Sequence, residues 1–379
     1  MLAGEIMRLY NRVLTTIFIA FLVIFNIFNI IAPDKVFSEE ENRMLEKKPE
    51  FSWDDLISGK FTSKYEKYVT DQFAYRDIWV SIKSASEILL QKKDNNGVYM
   101  GSNGYLLQKP VRVNNDLLEK NIAALNKFAY SLGEMPVYFL LAPNSAEILS
   151  DKLPPYATVN SDIIEQVKNK LNSEINFIDV YDSLKDHSNE YIYFKTDHHW
   201  TQRGAYYAYL KASNFMGFSA IDIKDFNIET VSESFYGTLY SKSGIRFVNP
   251  DCIEILKPEV KADIKVEYID TNKTSNSLYE TSHLKSKDKY SVFLDGNHAL
   301  VKISTNLNTG KKLLVIKDSY AHSLVPLLTN HYDEIHMIDL RYFNMNIPEY
   351  IEQNALNEVL FLYNNISFND DSTIVKLGL

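Results

Sequence analysis

Cysteine is scarce in this chain, and basic residues are fewer than acidic ones. Cys252 is the only cysteine among 379 residues, which excludes an internal disulfide framework and any metal site built from several cysteines. Acidic residues outnumber basic ones by 49 to 40, and the formal net charge is -9. No basic stripe is therefore available to neutralise phosphates, and we expect no nucleic-acid partner. At 45% hydrophobic residues, the chain can bury one large core or two modest ones.

The N-terminus carries a long apolar run, residues 13–32. At helical rise this run is long enough to cross the hydrocarbon of a bilayer. Arg8 and Arg12 precede it and Asp34 follows it, so the positive-inside rule predicts a cytoplasmic tail at 1–12 and an extracytoplasmic bulk. A cleaved signal peptide is the alternative, but no A-x-A-like pair of small residues ends the run. We expect an uncleaved, single-pass anchor in the cell membrane.

Two further segments follow the anchor. Residues 33–97 are expected to form a charged juxtamembrane stretch and then helix, because apolar residues recur at spacings of three and four. Residues 98–379 are expected to form the catalytic domain. It begins with a predicted hairpin, since Asn103-Gly104 is a preferred two-residue turn between apolar arms.

A β-α rhythm dominates the domain at 98–379. Short apolar runs typical of strands buried on both faces alternate with amphipathic stretches typical of helices. A β-rich interval, about residues 229–304, interrupts this rhythm. The pattern predicts an α/β fold with a mostly parallel sheet, flanking helices and a β-rich insertion. Function is then expected at the carboxyl ends of the strands. The predicted strands are 136–143, 175–180, 313–316, 334–340 and 358–363, and the predicted helices are 117–132, 163–171, 202–215, 321–328 and 347–354.

Ser319 follows one of these strands and precedes a helix. Its hydroxyl would point out of the sheet, close to a helix N-terminus that favours a developing oxyanion. Asp318 and Ser319 could equally serve only to cap that helix. The segment by itself leaves both possibilities open.

Asp197, His198 and His199 lie in a short turn before another predicted helix. An acid and an imidazole at one strand end, with a serine at another, are the groups that nucleophilic acyl transfer needs. The triplet is also compatible with a polar turn or a metal site. It occurs in manganese-dependent DHH phosphoesterases too, but these need aspartate-rich strand ends and a glycine-rich segment that this sequence lacks. We therefore expect neither a metal nor another cofactor.

Other polar residues near strand ends could stabilise an oxyanion or bind a substrate hydroxyl. Arg341 and Tyr363 come at the ends of later strands, and the alternatives are an ordinary surface arginine and a half-buried tyrosine. The candidate oxyanion and substrate residues are Tyr320, Arg341, Tyr363 and Asn297.

The chain resembles the DHHW family, relatives of the alginate O-acetyltransferases with an SGNH-hydrolase-like domain. In that family the acid-x-histidine segment precedes the serine block, the reverse of ordinary SGNH hydrolases, and the order here agrees with this permuted arrangement. The residues that carry the resemblance are Ser38-Glu39-x-Glu41-Asn42-Arg43, Asp71-Gln72-Phe73-x-x-Arg76, Gly101-x-x-Gly104-Tyr105-Leu106, Asp197-His198-His199-Trp200, Lys317-Asp318-Ser319-Tyr320-Ala321 and Asp339-Leu340-Arg341-Tyr342.

The resemblance implies an activity and partners. Ser319 would be the nucleophile, His199 the general base and Asp197 the residue that orients it. The substrate would be an exopolysaccharide or wall polymer, and a multi-spanning membrane O-acyltransferase would deliver the acyl group. Two alternatives stay open. One is an esterase that removes acetyl groups, and the other is a catalytically silent glycan-binding or scaffold protein of an export complex.

Overall fold

The structure is a computed structural model that describes residues 2–157, 159, 162–258 and 263–378. Residues 1, 158, 160, 161, 259–262 and 379 lie outside the described residues. They belong to the predicted tail, to the predicted catalytic domain and to its β-rich interval. The chain divides into two compact units. The first comprises residues 1–91 and 244–246, and the second comprises residues 92–243 and 247–379.

The first unit is mainly helical. Within residues 5–31 of its first helix, an 18-residue window has a mean hydropathy of 2.4, so this helix is long and apolar enough for a membrane anchor or a signal sequence. The helical stretch predicted after it forms two main helices, at 60–71 and 76–89, because residues 72–75 are not helical. The elements are α1 (Leu2–Ile31), β1 (Phe37–Ser38), β2 (Arg43–Met44), α2 (Trp53–Ile57), α3 (Lys60–Asp71) and α4 (Arg76–Leu89).

Ion pairs hold the first unit together between two of the segments that carry the family resemblance. Arg43 on β2 makes a two-pronged contact with Asp71 at the end of α3, at 2.5 and 2.8 Å. Glu41 accepts from Arg43 at 2.7 Å and also from Arg76 at the start of α4. The contact with Arg43 lowers the pKa of Asp71 to about 2. These residues therefore have a structural role in this unit.

The second unit is built on an eight-stranded sheet of described residues, in the order β10-β9-β11-β13-β12-β14-β5-β6. The other strands form the two-stranded pairs β3-β4 and β7-β8. The strands are β3 (Val98–Met100), β4 (Leu106–Gln108), β5 (Val137–Ala142), β6 (Ile175–Ile178), β7 (Phe226–Phe235), β8 (Asp251–Pro258), β9 (Lys265–Tyr268), β10 (Lys273–Ser275), β11 (Leu300–Ser304), β12 (Lys312–Lys317), β13 (Glu334–Ile338) and β14 (Glu358–Asn364).

The prediction of a mostly parallel sheet is only partly right. β13, β12, β14, β5 and β6 are parallel to one another, whereas β11, β9 and β10 extend the sheet antiparallel on one edge. The sheet is therefore mixed. The three antiparallel strands come from the β-rich interval and the residues before β12. A short connection, residues 269–272, joins β9 to β10, and a connection of this length suits antiparallel pairing. The predicted insertion thus belongs in part to the main sheet.

Helices cover both faces of the sheet, which divides the core in two. Along β12, Leu313 and Val315 face one core, while Leu314 and Ile316 face the other. Burial on both faces explains why the parallel strands read as continuous apolar runs. The helices of this unit are α5 (Asn115–Ser131), α6 (Ser145–Ile148), α7 (Ile163–Lys170), α8 (Tyr181–Lys185), α9 (Gln202–Met216), α10 (Thr238–Ser243), α11 (Ala321–Leu328), α12 (Ile347–Gln353) and α13 (Asn365–Asp370).

Helix α9 begins directly after the turn that contains Asp197 to Trp200. The Thr201 side chain accepts from the Gly204 N–H at 3.2 Å and so caps the helix. Gly204 lies against the Ile192 carbonyl with no space for a Cβ. This close approach sets where α9 packs, and with it the position of the turn.

Candidate active site

Ser319 lies at the carboxyl end of β12, where the chain passes into α11. The preceding Asp318 is buried, and its carboxylate accepts from the backbone N–H groups of Tyr320 at 2.9 Å and Asn364 at 2.7 Å. Burial raises the pKa of Asp318, and these two hydrogen bonds oppose that rise. Asp318 thus holds the turn in place, while Ser319 stays partly exposed.

The turn at Asp197–Trp200 is held against this serine turn by reciprocal hydrogen bonds. The Trp200 indole N–H donates to the Tyr320 carbonyl at 3.0 Å, and the Tyr320 hydroxyl donates to the His198 carbonyl at 2.5 Å. Both aromatic side chains are almost completely buried. Because buried polar groups in a dry environment need their partners, these bonds fix the separation of the two turns. Trp200 is therefore a packing and positioning residue.

The two turns bring Asp197, His199 and Ser319 into one hydrogen-bonded row. His199 Nε2 lies 2.7 Å from Ser319 Oγ, and His199 Nδ1 lies 2.5 Å from Asp197 Oδ1. With Nδ1–H donating to the carboxylate, Nε2 is free to accept the serine proton. The arrangement can activate a hydroxyl for attack on a carbonyl carbon.

The carboxylate of Asp197 has several more donors. The Thr238 N–H and hydroxyl donate to Oδ2 at 2.7 and 2.9 Å, and the His199 N–H donates to Oδ1 at 3.0 Å. Burial favours the neutral acid, but the adjacent imidazoles and these hydrogen bonds outweigh it, so the pKa of Asp197 lies below its usual value. The carboxylate is therefore ionised and fixed in orientation.

Sequence reasoning missed Gly237, Thr238 and Tyr290. Gly237 touches Asp197 so closely that a Cβ there would collide with the carboxylate. The Tyr290 ring stacks on His199 with centroids 3.8 Å apart and planes 9° from parallel, and its hydroxyl donates to the Ser319 carbonyl at 3.1 Å. The Gly-Thr pair after β7 was at most a weak turn signal, and nothing in the sequence around Tyr290 indicated its position.

A basic cluster lies at the same edge of the sheet, after β12 and the neighbouring β13. Lys317 is buried and donates to Asp339 at 3.2 Å and to His322 at 2.8 Å. Burial lowers the pKa of Lys317, and Asp339 opposes that shift. The Arg341 side chain is 39% exposed and also pairs with Asp339. Asn297 Oδ1 accepts from Arg341 at 3.3 Å and lies 3.4 Å from the Lys317 ammonium. Arg341 and Asn297, both predicted as site residues, therefore lie together.

Residues 99–338 match the DHHW protein family. The chain belongs to the DHHW family. The match includes both the Asp197–Trp200 turn and Ser319 but ends before Arg341. No curated protein matched the sequence.

Solved structures are similar to this DHHW chain, and the first two named here share its fold. A DHHW family protein from Eubacterium siraeum is 27% identical with a TM-score of 0.65, over 76% of this chain and 97% of that one. Bacillus cereus PatB1, solved with a sulfonyl adduct, is 22% identical with a TM-score of 0.61, over 73% and 97%. The O-acetyltransferase domain of Pseudomonas putida AlgJ is 14% identical with a TM-score of 0.48, over 74% and 98%. The similarity to PatB1 is one of fold.

Two of the candidate substrate residues of this DHHW chain lie in surroundings that give them a structural role instead. Tyr363 is buried in the core on the Leu314 side of the sheet, where its ring packs against Phe368. Its hydroxyl has no hydrogen-bond partner among the residues that the structure describes. Tyr320 is also buried and uses its hydroxyl to hold the His198 carbonyl. Neither side chain is accessible to a substrate hydroxyl, so their expected role is corrected to packing and positioning.

A metal ion is the alternative ligand for this turn. One possible ligand atom from each of Asp197, His198 and His199 lies within 4.8 Å of the others, which is close enough to bind one ion. Every one of these side chains already has a hydrogen-bond partner. The partners of Asp197 and His199 are described above. For His198, Nδ1 lies 2.7 Å from the Thr238 hydroxyl. A metal would have to replace the contacts that orient His199 toward Ser319. The donor set therefore fits hydrogen-bonded acid-base chemistry better than metal binding.

Proposed function

We propose that this DHHW protein is a membrane-anchored, extracytoplasmic O-acyltransferase that acetylates hydroxyls of an exopolysaccharide or cell-wall polymer. The observation that carries the proposal is the row of atoms from Asp197 Oδ1 through the His199 ring to Ser319 Oγ, at 2.5 and 2.7 Å. The reaction class follows from this row, and the polymer and the acetyl group follow from the family resemblance.

In the first half-reaction Ser319 Oγ attacks the carbonyl carbon of an acyl donor. Its proton passes to His199 Nε2 as the C–O bond forms, and Asp197 stabilises the resulting imidazolium. The tetrahedral intermediate then collapses. The bond to the donor's leaving group breaks, His199 returns the proton to that group, and the acyl group remains on Ser319.

In the second half-reaction a sugar hydroxyl attacks the acyl-serine. His199 takes the hydroxyl proton, the new ester bond forms, and the bond to Ser319 Oγ breaks as the proton returns to serine. Water in place of the sugar would make the same site an esterase. The competition between the two nucleophiles decides the product, because the triad serves both equally.

Arg341 and Asn297 are proposed to contact the substrate. The half-exposed guanidinium lies at the end of the strand next to β12, and Asp339 holds its orientation. A fixed cation of this kind can bind a carbonyl or sugar oxygen and stabilise negative charge that develops on it. Asn297, through the contact with Arg341, would complete this binding edge.

The anchor and the acyl-donor partner are also proposals. Helix α1 has the length and apolarity of a span, and Arg8 and Arg12 lie near its start. By the positive-inside rule the remainder of the chain then lies outside. The resemblance implies a multi-spanning O-acyltransferase that delivers the acyl group across the membrane to Ser319.

The central experiment uses an activated acetyl ester with the full chain in detergent. Wild type should show a burst of alcohol release and a transient gain of one acetyl group by mass spectrometry. Trypsin cuts after Lys317 and Arg341, so the label should appear on peptide 318–341 and fragment to Ser319. The Ser319→Ala variant should show neither burst nor label. A sulfonyl fluoride should modify the same residue, since activated hydroxyls react with sulfonyl electrophiles.

The acceptor separates transfer from hydrolysis. A polysaccharide or oligosaccharide with free hydroxyls should accelerate loss of the acetyl-serine and should itself become acetylated. Discharge to acetate at the same rate with and without every acceptor tested would contradict transfer and favour the esterase. An acetyl adduct that persists in Ser319→Ala would contradict the assigned nucleophile.

A further inference from the structure

The first unit exposes an apolar helix face next to α1. On α4, Ile78, Trp79, Ile82 and Leu89 fall within an arc of roughly 100° at helical periodicity. We call these residues the α4 face. Their exposed fractions range from 41% for Trp79 to 84% for Leu89. A helix on a water-facing surface normally has charged or polar side chains at such positions.

The opposite side of α4 faces inward. Ser84, about half a turn away from the α4 face, is buried at 4% exposure. The helix therefore buries a small polar side chain and exposes its large apolar ones, the reverse of the arrangement that water favours. A contiguous apolar patch of this kind marks a surface that is covered by something other than water.

Direct contacts join this region to the apolar helix α1. The Phe25 ring of α1 lies 5.6 Å from the Trp79 ring and 5.9 Å from the Phe73 ring, centroid to centroid. Asn29 of α1 accepts from the Ala74 N–H at 2.7 Å. Phe25 precedes the last residue of α1, Ile31, by six positions, which is about 9 Å along the helix axis. The α4 face thus begins beside the apolar run of α1 and not beyond its end.

The polar groups at this junction are satisfied within the protein. The Asn29 amide donates to the Phe25 carbonyl at 3.0 Å, and the Asn26 amide donates to the Leu22 carbonyl at 2.8 Å. Beside these ring contacts, residues of α1 together with Phe73 and Trp79 line an open cavity of about 310 Å³, and this lining is mostly apolar. Internal satisfaction of side-chain amides is what burial in lipid demands.

We propose that the α4 face lies in the outer leaflet of the bilayer that α1 spans, with Trp79 just below the interface, among the upper acyl carbons. The occupant is phospholipid, and acyl chains fill the cavity between α1 and Trp79. Tryptophan is enriched near the interface, and a helix with one apolar face buries that face at the boundary between headgroups and acyl chains. This inference rests on the proposed anchor, because contact with α1 defines the depth.

Tryptophan fluorescence in lipid vesicles tests the inference with the full chain. Among its 3 tryptophans, Trp200 is fully buried and serves as an internal reference, and Trp53→Phe removes another. In this background, bromine on the upper acyl carbons of phosphatidylcholine should quench about half or more of the Trp79 emission. Bromine near the bilayer centre should quench less, and aqueous acrylamide should have little effect. The matched control is Trp53→Phe with Trp79→Phe, whose emission should not respond to bromolipid.

Each other outcome has a defined meaning. Quenching of Trp79 by acrylamide but by no bromolipid overturns the inference. Acrylamide protection that arises only after native membranes are added would mean that a protein covers the α4 face, and it also overturns the lipid assignment. Flotation of the chain with vesicles after carbonate extraction tests the anchor separately. A chain that floats but shows no bromolipid quenching keeps the anchor and rejects only the α4 face proposal.

Discussion

At the scale of single residues, capping and catalysis belong to different side chains of the serine turn. Asp318 accepts the Tyr320 N–H, whereas the Ser319 hydroxyl is bonded to His199. Helix α11 begins without a side-chain cap hydrogen bond. Substitution of Ser319 should therefore affect chemistry far more than stability.

The first prediction concerns this serine and its base. Ser319→Ala should lower kcat by several orders of magnitude, while the free energy of unfolding changes by less than about 1 kcal/mol. His199→Ala should cause a comparable loss, and the double variant should be scarcely slower than either, since the groups act as a unit. Asp197→Asn should be similar or somewhat milder. Steady-state kinetics and thermal unfolding of the same preparations measure both quantities.

The control for this set is His198→Ala. His198 is partly exposed and contacts Thr238, and only His199 of the two imidazoles reaches Ser319. Its loss of rate should be much smaller. A defect deeper than that of His199→Ala would contradict the assignment of the base.

The second prediction concerns Gly237. Alanine there would place a Cβ against Asp197, so either the carboxylate or the chain after β7 must move. We expect a loss of rate of about tenfold or more and a destabilisation of about 1–3 kcal/mol. Gly378→Ala is the matched control, because its Cβ would meet only ordinary contacts at 3.5 Å or more. Equal behaviour of the two variants would show that the close approach at Gly237 does not position Asp197.

At the scale of elements, the ion pair between β2 and α3 makes the third prediction. The pKa of Asp71 is lowered to about 2 by Arg43, so its ionised form stabilises the folded state. That contribution is complete above the unfolded pKa, near 3.8, and is lost as the pH falls toward 2. Asp71→Asn should remove about 1–2 kcal/mol at pH 5, a range that allows for solvent screening at the half-exposed Arg43.

Thermal unfolding of the full chain between pH 2 and pH 5 measures this effect as a difference between wild type and Asp71→Asn. The difference in Tm should be largest at pH 5 and should shrink as the pH falls toward 2, because the wild-type carboxylate is half protonated at its folded pKa of about 2. The same subtraction cancels the other titrating groups. A difference that stays constant over this range would mean that the charge of Asp71 contributes no stability.

At the scale of the whole molecule, the fourth prediction is topological. If α1 is the anchor, its charge asymmetry places the chain after about residue 35 outside the cell. Protease added to intact protoplasts should then digest this part and leave the membrane-embedded remainder. A cytoplasmic protein in the same cells is the control for intact membranes. Full protection of the chain would contradict the orientation, and release of the intact domain into the medium would indicate a cleaved signal sequence.

The sequence by itself determined the features that depend on local periodicity. Continuous apolar runs predicted strands buried on both faces, and β12 and β14 lie where those runs lie. Polar residues at the ends of such runs identified the two turns that carry Asp197, His199 and Ser319. The motifs in these two turns also carried most of the family resemblance, which the DHHW match confirms. All of these features are properties of contiguous residues.

Only the tertiary structure decided which distant residues meet. His199 and Ser319 are 120 positions apart, and their contact depends on how α9 packs and on the reciprocal bonds of Trp200 and Tyr320. Strand pairing is likewise nonlocal, so no local pattern showed that β9 to β11 would join the sheet antiparallel. Side chains along β14 point alternately to the two faces of the sheet, and Tyr363 points into the core that contains Leu314. Which residues of the strand point to which face depends on how the sheet packs. Tyr290 and Gly237 contribute through proximity alone, which spacing along the chain does not encode.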